Sequence, residues 1–122
     1  MSLTASQRGF TLIELIAIIV ILGSLASVAV PKYYDLTREA QNRAALQAVT
    51  EGKARLSISY ARLFLESGSP PDATSLINAV GATTSVGDYT LTFSMASSDI
   101  KVNAAGKGRV PGTNSGLWLL PK

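Results

Sequence analysis

Residues 9–31 read GFTLIELIAIIVILGSLASVAVP, and this stretch decides how the rest of the chain is read. From Phe10 to Val30 Glu14 is the only charged side chain, and from Leu15 to Val30 there is none. As a helix, a run of this length reaches across a hydrocarbon layer of about 30 Å. A soluble domain has little use for 21 nearly uninterrupted apolar and small residues, so the segment is set apart before any core is counted. It is preceded by MSLTASQRG, short and polar with Arg8 as its one charge, and ended by Pro31.

Outward from this stretch, the 122 residues leave roughly ninety beyond Pro31, room for one small domain. A domain of that size buries limited surface and needs a long helix, a partner or a staple. Cysteine is absent, which excludes a disulfide framework and a thiolate metal site. Histidine is absent too, removing the commonest metal ligand and the usual general base near neutral pH. The charge is +3, with basic residues spread from Arg8 to Lys122. There is no concentrated basic stripe to track phosphates, so nucleic-acid binding is not indicated.

From Lys32 to about Leu65 the sequence permits helix throughout. Ala45, Ala48, Val49, Gly52, Leu56, Tyr60, Leu63 and Phe64 recur at steps of three and four, one face of a helix packed on a core. A helix from Phe10 to Leu65 would be roughly 84 Å long, far more than one bilayer uses. Ser67-Gly68-Ser69-Pro70-Pro71 ends it. Asp72 is placed to cap a short helix over about 72–80, which Gly81 closes.

Beyond Gly87 the period becomes two. Tyr89, Leu91, Phe93 and Met95 alternate with Thr90, Thr92 and Ser94, predicting a strand over about 88–95 with one buried face. After a Ser97-Ser98 turn, Ile100, Val102 and Ala104 predict a second strand, about 99–104, in a hairpin with the first. Residues 106–116 read as a loop, and a third strand is expected over about 116–120. The class is therefore α+β: one long helix whose stripe covers a small antiparallel sheet.

Three readings compete for residues 1–31. An ordinary secretory signal would be cut after Ser27-Val28-Ala29. A plain single-pass anchor would be kept. Neither explains Glu14. An acidic side chain at the centre of an inserted helix costs about 2.5–3.5 kcal/mol. Glu14 lies near one end, where the cost is smaller, but a disposable signal has no reason to carry it. Counting Lys and Arg does not orient the span, since Lys32, Arg38 and Arg43 follow it while Arg8 precedes it.

The third reading rests on a match. Arg8-Gly9-Phe10-Thr11-Leu12-Ile13-Glu14-Leu15, continued by an uncharged run and Pro31, resembles the processing signal of bacterial type IV prepilins and of type II secretion pseudopilins. The strong resemblance covers about residues 8–35. It implies a pilin-like fold, a long kinked N-terminal helix on a small sheet head. It implies three segments: a leader, 1–9, removed by a prepilin peptidase; a transmembrane and filament-core half-helix, 10–31; and a periplasmic or extracellular head, 32–122. Gly9 is then the last leader residue and Phe10 the N-methylated new N-terminus. The leader would stay cytoplasmic, which supplies the topology that charge counting does not. Glu14 would pair with the amine made on Phe10, of a neighbouring subunit or its own, because a buried carboxylate needs a cation.

Pro31 has no amide hydrogen, so the Ser27 carbonyl loses its helical donor and a kink is expected. With Gly23, Ser24 and Ser27 just upstream, resemblance to pilins implies partial unwinding of residues 23–31 in a filament. The implied partners are further copies in a helical homopolymer, the prepilin peptidase, the inner membrane before assembly and the pilus or secretion machinery. The location after assembly would be an extracellular filament. The alternatives kept are a pseudopilin and a membrane-tethered binding module that does not polymerise.

No catalytic residue, metal site or cofactor is expected. Asp72, Asp88 and Asp99 read as surface acids, since calcium takes six to eight oxygens. Tyr33 and Tyr34, just beyond the apolar run, suit a membrane-interface belt. Gly106-Lys107-Gly108-Arg109 reads as a solvated basic loop.

Overall fold

The computed structural model describes residues 9–122. Its elements in chain order are α1 (Leu12–Ser67), α2 (Ala73–Val80), β1 (Thr83–Val86), β2 (Tyr89–Ala96), β3 (Asp99–Gly106) and β4 (Thr113–Trp118). The expected α+β class is found: a long N-terminal helix and a four-stranded antiparallel sheet in the order β1-β2-β3-β4. The chain forms two compact units, one ending at Leu36 and one spanning Thr37–Lys122.

In the first unit every residue from Gly9 to Leu36 is exposed. The helical assignment runs without interruption through Pro31. It begins at Leu12 rather than at the expected Phe10, and it ends at Ser67, two residues past the expected Leu65. At the far end the Gly68 amide bonds the Phe64 carbonyl at 2.8 Å, and Gly68, with φ +70, turns the chain out of the helix.

The core of the second unit joins the α1 stripe to one face of the sheet. Ala45, Ala48, Val49 and Leu56 of α1 meet Leu91 and Phe93 of β2, Ile100, Val102 and Ala104 of β3, and Trp118 of β4. Ala73 and Leu76 of α2 close one side. Each large buried side chain contributes about 1.5–3 kcal/mol. Gly52 lets α1 approach the sheet: a Cβ there would lie 2.9 Å from Val102 Cγ1 and 3.1 Å from Leu91 Cδ1. The stripe fades toward the C-terminal end of the helix. Tyr60 and Leu63 are half-buried, while Phe64 is exposed and lies parallel to the Tyr60 ring.

The hairpin expected from period two is present, with Tyr89↔Gly106 through Ala96↔Asp99 in antiparallel register. Met95 departs from the expected buried face: it is exposed, and its sulfur accepts from the Thr74 hydroxyl. Two further departures concern the sheet edges. A strand over Thr83–Val86 was not expected; it pairs with Thr92–Tyr89 through the tight turn at Gly87-Asp88. The last strand begins at Thr113, inside the stretch read as loop, and ends at Trp118, with Leu119 and Leu120 outside it. Asn114 and Gly116 have weak strand propensity, and pairing of this segment with Ala105–Val102 overrides it. Gly116 is small because the Lys53 side chain lies across it, 2.8 Å from where its Cβ would be.

Asp72 caps α2 as expected, its Oδ1 accepting from the Ser75 amide at 3.1 Å, and the Gly81 amide closes the helix on the Ile77 carbonyl at 2.8 Å.

Candidate functional site

The segment singled out in the sequence is the start of α1. Gly9, Phe10 and Thr11 lie outside regular structure, and the helix opens at Leu12. The opening has a local cause. The Thr11 amide donates to Glu14 Oε2 at 3.3 Å, and the Glu14 amide donates to Thr11 Oγ1, also at 3.3 Å. Each side chain thus satisfies the other residue's exposed backbone donor, a reciprocal capping box. The carboxylate also lies in the first turn, where the partial positive charge of the helix end favours an anion. The sequence reading assigned Glu14 to an amine and passed over Thr11. The spacing T-x-x-E ahead of an apolar run was the signal available for it.

Arg8 and the rest of the expected leader lie outside the described residues; Gly9 and Phe10 are exposed, and a Cβ at Gly9 would meet nothing within 4 Å. Nine residues after Glu14, Gly23 is equally open. Ser24 donates its hydroxyl to the Val20 carbonyl at 2.9 Å and Ser27 donates to the Ser24 carbonyl at 2.7 Å. Such back-bonding from Ser weakens and bends helices. Pro31 sits inside α1 one turn later. The structure therefore places these residues in two groups along one helix, Thr11 with Glu14 and Ser24 with Ser27 ahead of Pro31.

The apolar run is uncovered. Among the described residues one helix is long and apolar enough to cross a membrane, its best 18-residue window having mean hydropathy 2.6 and no buried residue. Phe10, Leu12, Ile13, Ile16, Ile19, Val20, Leu25 and Val28 are each well over half exposed. Contiguous apolar surface on this scale marks a surface that meets lipid or protein.

Asp99 Oδ1 accepts from the Leu120 amide at 3.0 Å, and the Asp88 carbonyl accepts from the Lys107 amide at 2.8 Å. No group of three or more acidic, His or Cys side chains among the described residues is placed to hold a metal ion. The loop read as solvated is tied down as well: Lys107 Nζ donates to the Gly87 carbonyl at 2.8 Å.

The described residues thus join an apolar helix start, opened by an acidic cap, to a helix-backed antiparallel sheet. Residues 4–30 match the family model described as the prokaryotic N-terminal methylation motif. A fimbrial protein of Neisseria meningitidis serogroup A / serotype 4A (strain DSM 15465 / Z2491) is 34% identical over 110 residues, 83% of this chain and 62% of that protein. A fimbrial protein of Pseudomonas aeruginosa is 38% identical over 69 residues, 55% of this chain and 45% of that one. A type IV major pilin protein of Neisseria gonorrhoeae is 42% identical over 66 residues, 54% of this chain and 38% of its own length. The chain thus spans between about two fifths and three fifths of the length of these relatives. No solved structure matches it at a significant level. The chain is similar to type IV pilins and fimbrial proteins, most strongly over its N-terminal helix.

Proposed function

We propose that this protein is a structural subunit of a type IV pilus, not an enzyme: it is held in the inner membrane by residues 10–31, cut between Gly9 and Phe10 by a prepilin peptidase, methylated on Phe10, and polymerised through α1 into an extracellular filament. One observation carries the reading. The helix from Leu12 to Val30 is exposed on every side and bears a single charge, Glu14, at its start. Lipid covers such a helix before assembly and neighbouring helices cover it afterwards. In the second setting water is excluded, and Glu14 is tolerable only beside a cation. The cut removes Arg8 and creates that cation, the Phe10 amine, which stays positive after methylation.

Mass spectrometry of the processed chain tests the cut: the expected N-terminus is methyl-Phe10, and a Val30 terminus overturns the reading. Glu14→Ala tests assembly. The variant is expected to insert in the membrane normally and to lose incorporation into filaments. Normal filaments from it would remove the role given to Glu14.

A further inference from the structure

In the second unit one face of the sheet lies under α1 and α2, and the opposite face is open. The antiparallel register lines up the side chains of the open face in rows that cross the strands. Thr83, Thr92, Asn103 and Ser115 stand opposite one another from β1 to β4. Ser85, Thr90, Ala105 and Thr113 form the next row, and Ser94, Lys101 and Leu117 form a third over the last three strands. Neighbours within a row are about 4.8 Å apart, the strand spacing, and rows are about 7 Å apart, twice the rise per residue. Among the described residues none of the row hydroxyls, nor the Asn103 amide, has a side-chain hydrogen-bond partner.

The chemistry of this face narrows its partner. Lys101 is its one free charge, since Asp99, at the hairpin end, has Oδ1 taken by the Leu120 amide. One cation does not make a track for phosphates or sulfates. Leu117 alone does not make the contiguous apolar patch that a lipid or a protein partner uses. Hydroxyls and amides, in contrast, both donate and accept, which is what the hydroxyls of a sugar chain require. We propose that the open face of the sheet binds a neutral, extended glycan. The glycan lies across the strands along Thr83, Thr92, Asn103 and Ser115, with successive sugars on successive strands. Leu117, one row away on β4, offers its half-exposed side chain to the C–H face of a sugar ring. No aromatic ring stands in these rows to stack on a sugar, so a single copy binds weakly. The strength of binding rests on the proposed filament, where repeated copies raise a weak affinity by about a hundredfold or more.

The test uses the full chain in two forms: coupled densely to beads from a detergent without a sugar headgroup, and as filaments sheared from cells. Both are applied to an array of neutral β-linked oligosaccharides of glucose, mannose and N-acetylglucosamine, together with their sulfated and carboxylated counterparts. Neutral chains are expected to retain both forms. Thr92→Val combined with Asn103→Val keeps strand-forming residues at both positions and removes their hydrogen-bonding groups. It is expected to lower retention about tenfold, because sugar hydroxyls are left unpaired. Lys101→Gln is expected to leave retention unchanged. Trp118 fluorescence confirms that each variant is folded. Retention of the sulfated and carboxylated chains alone, lost in Lys101→Gln, overturns the neutral-glycan site. Retention of neutral chains that the Thr92 and Asn103 changes do not lower puts binding elsewhere and overturns it as well, as does an array that retains neither form. If cells yield no filaments, the proposed function fails, while the beads still decide the glycan site.

Discussion

Ser97 stands in the β2–β3 hairpin where Gly87 stands in the β1–β2 hairpin. Each is the first residue of a two-residue turn, between Ala96↔Asp99 and Val86↔Tyr89, and each has a positive φ, +59 for Ser97 and +55 for Gly87. Among the described residues Ser97 is the only non-glycine in this region. A side chain there costs about 1–2 kcal/mol, partly offset by the greater freedom glycine has when unfolded. Ser97→Gly is expected to stabilise the second unit by about 0.5–1 kcal/mol, and Gly87→Ala to destabilise it by about 1 kcal/mol. Thermal melts of the two variants in detergent check the opposite signs.

The two glycines of α1 that lie inside the helix should respond oppositely to alanine. At Gly52 the new methyl meets Val102 and Leu91 within about 3 Å, and overpacking of this kind costs about 1–3 kcal/mol. At Gly23 it meets nothing within 4 Å and raises helix propensity by about 0.8–1 kcal/mol. Gly52→Ala should lower the melting point of the sheet unit, and Gly23→Ala should leave it unchanged. Circular dichroism resolves both.

Trp118 is the single tryptophan, and its Nε1 donates to Ser57 Oγ at 3.1 Å beside the Tyr60 ring. Ser57→Ala leaves a largely buried indole N–H without its acceptor, at a cost of about 1–3 kcal/mol. Denaturant unfolding followed by Trp118 fluorescence measures the loss, and a change below about 0.3 kcal/mol would mean that water replaces the hydroxyl.

Asp72 predicts an acid limb in stability. Hydrogen bonds from the Ser75 side chain and then from its amide hold the carboxyl below the ordinary Asp range. A group lowered in the folded state stabilises it fully above the unfolded value, about 3.9, and that contribution disappears as pH falls through the folded value. Asp72→Asn keeps an N-cap acceptor but cannot titrate. The difference in stability between wild type and Asp72→Asn should therefore change below about pH 4 and stay flat from pH 5 to 8.

The segment from Gly23 to Pro31 is expected to leave α-helical geometry in the assembled filament. Its helix is held by weak formers, two serine hydroxyls compete for its carbonyls, and Pro31 withholds a donor. A filament density map with helical hydrogen bonds kept from Leu22 to Tyr33, the one at Pro31 apart, overturns this.

The amphipathic stripe of α1 from Ala45 to Leu56, the caps at Asp72 and Gly81, and the β2–β3 hairpin were legible in the sequence. Each depends on residues close together in the chain, where steps of three to four, steps of two, or a single polar cap dictate local geometry. So was the uncharged run with Glu14 near its start. The Thr11–Glu14 box was equally local, carried by the T-x-x-E spacing ahead of the apolar run. Other features were not legible. Thr113–Gly116 has no strand signature of its own and becomes β4 only because Ala105–Val102 offers an unpaired edge more than seven residues away. Met95 continues the alternation of Leu91 and Phe93, yet it is exposed. Local periodicity states which side chains share a face. Whether another element covers that face is a long-range fact, and here it was the packing of α1, α2 and the sheet edges that decided it.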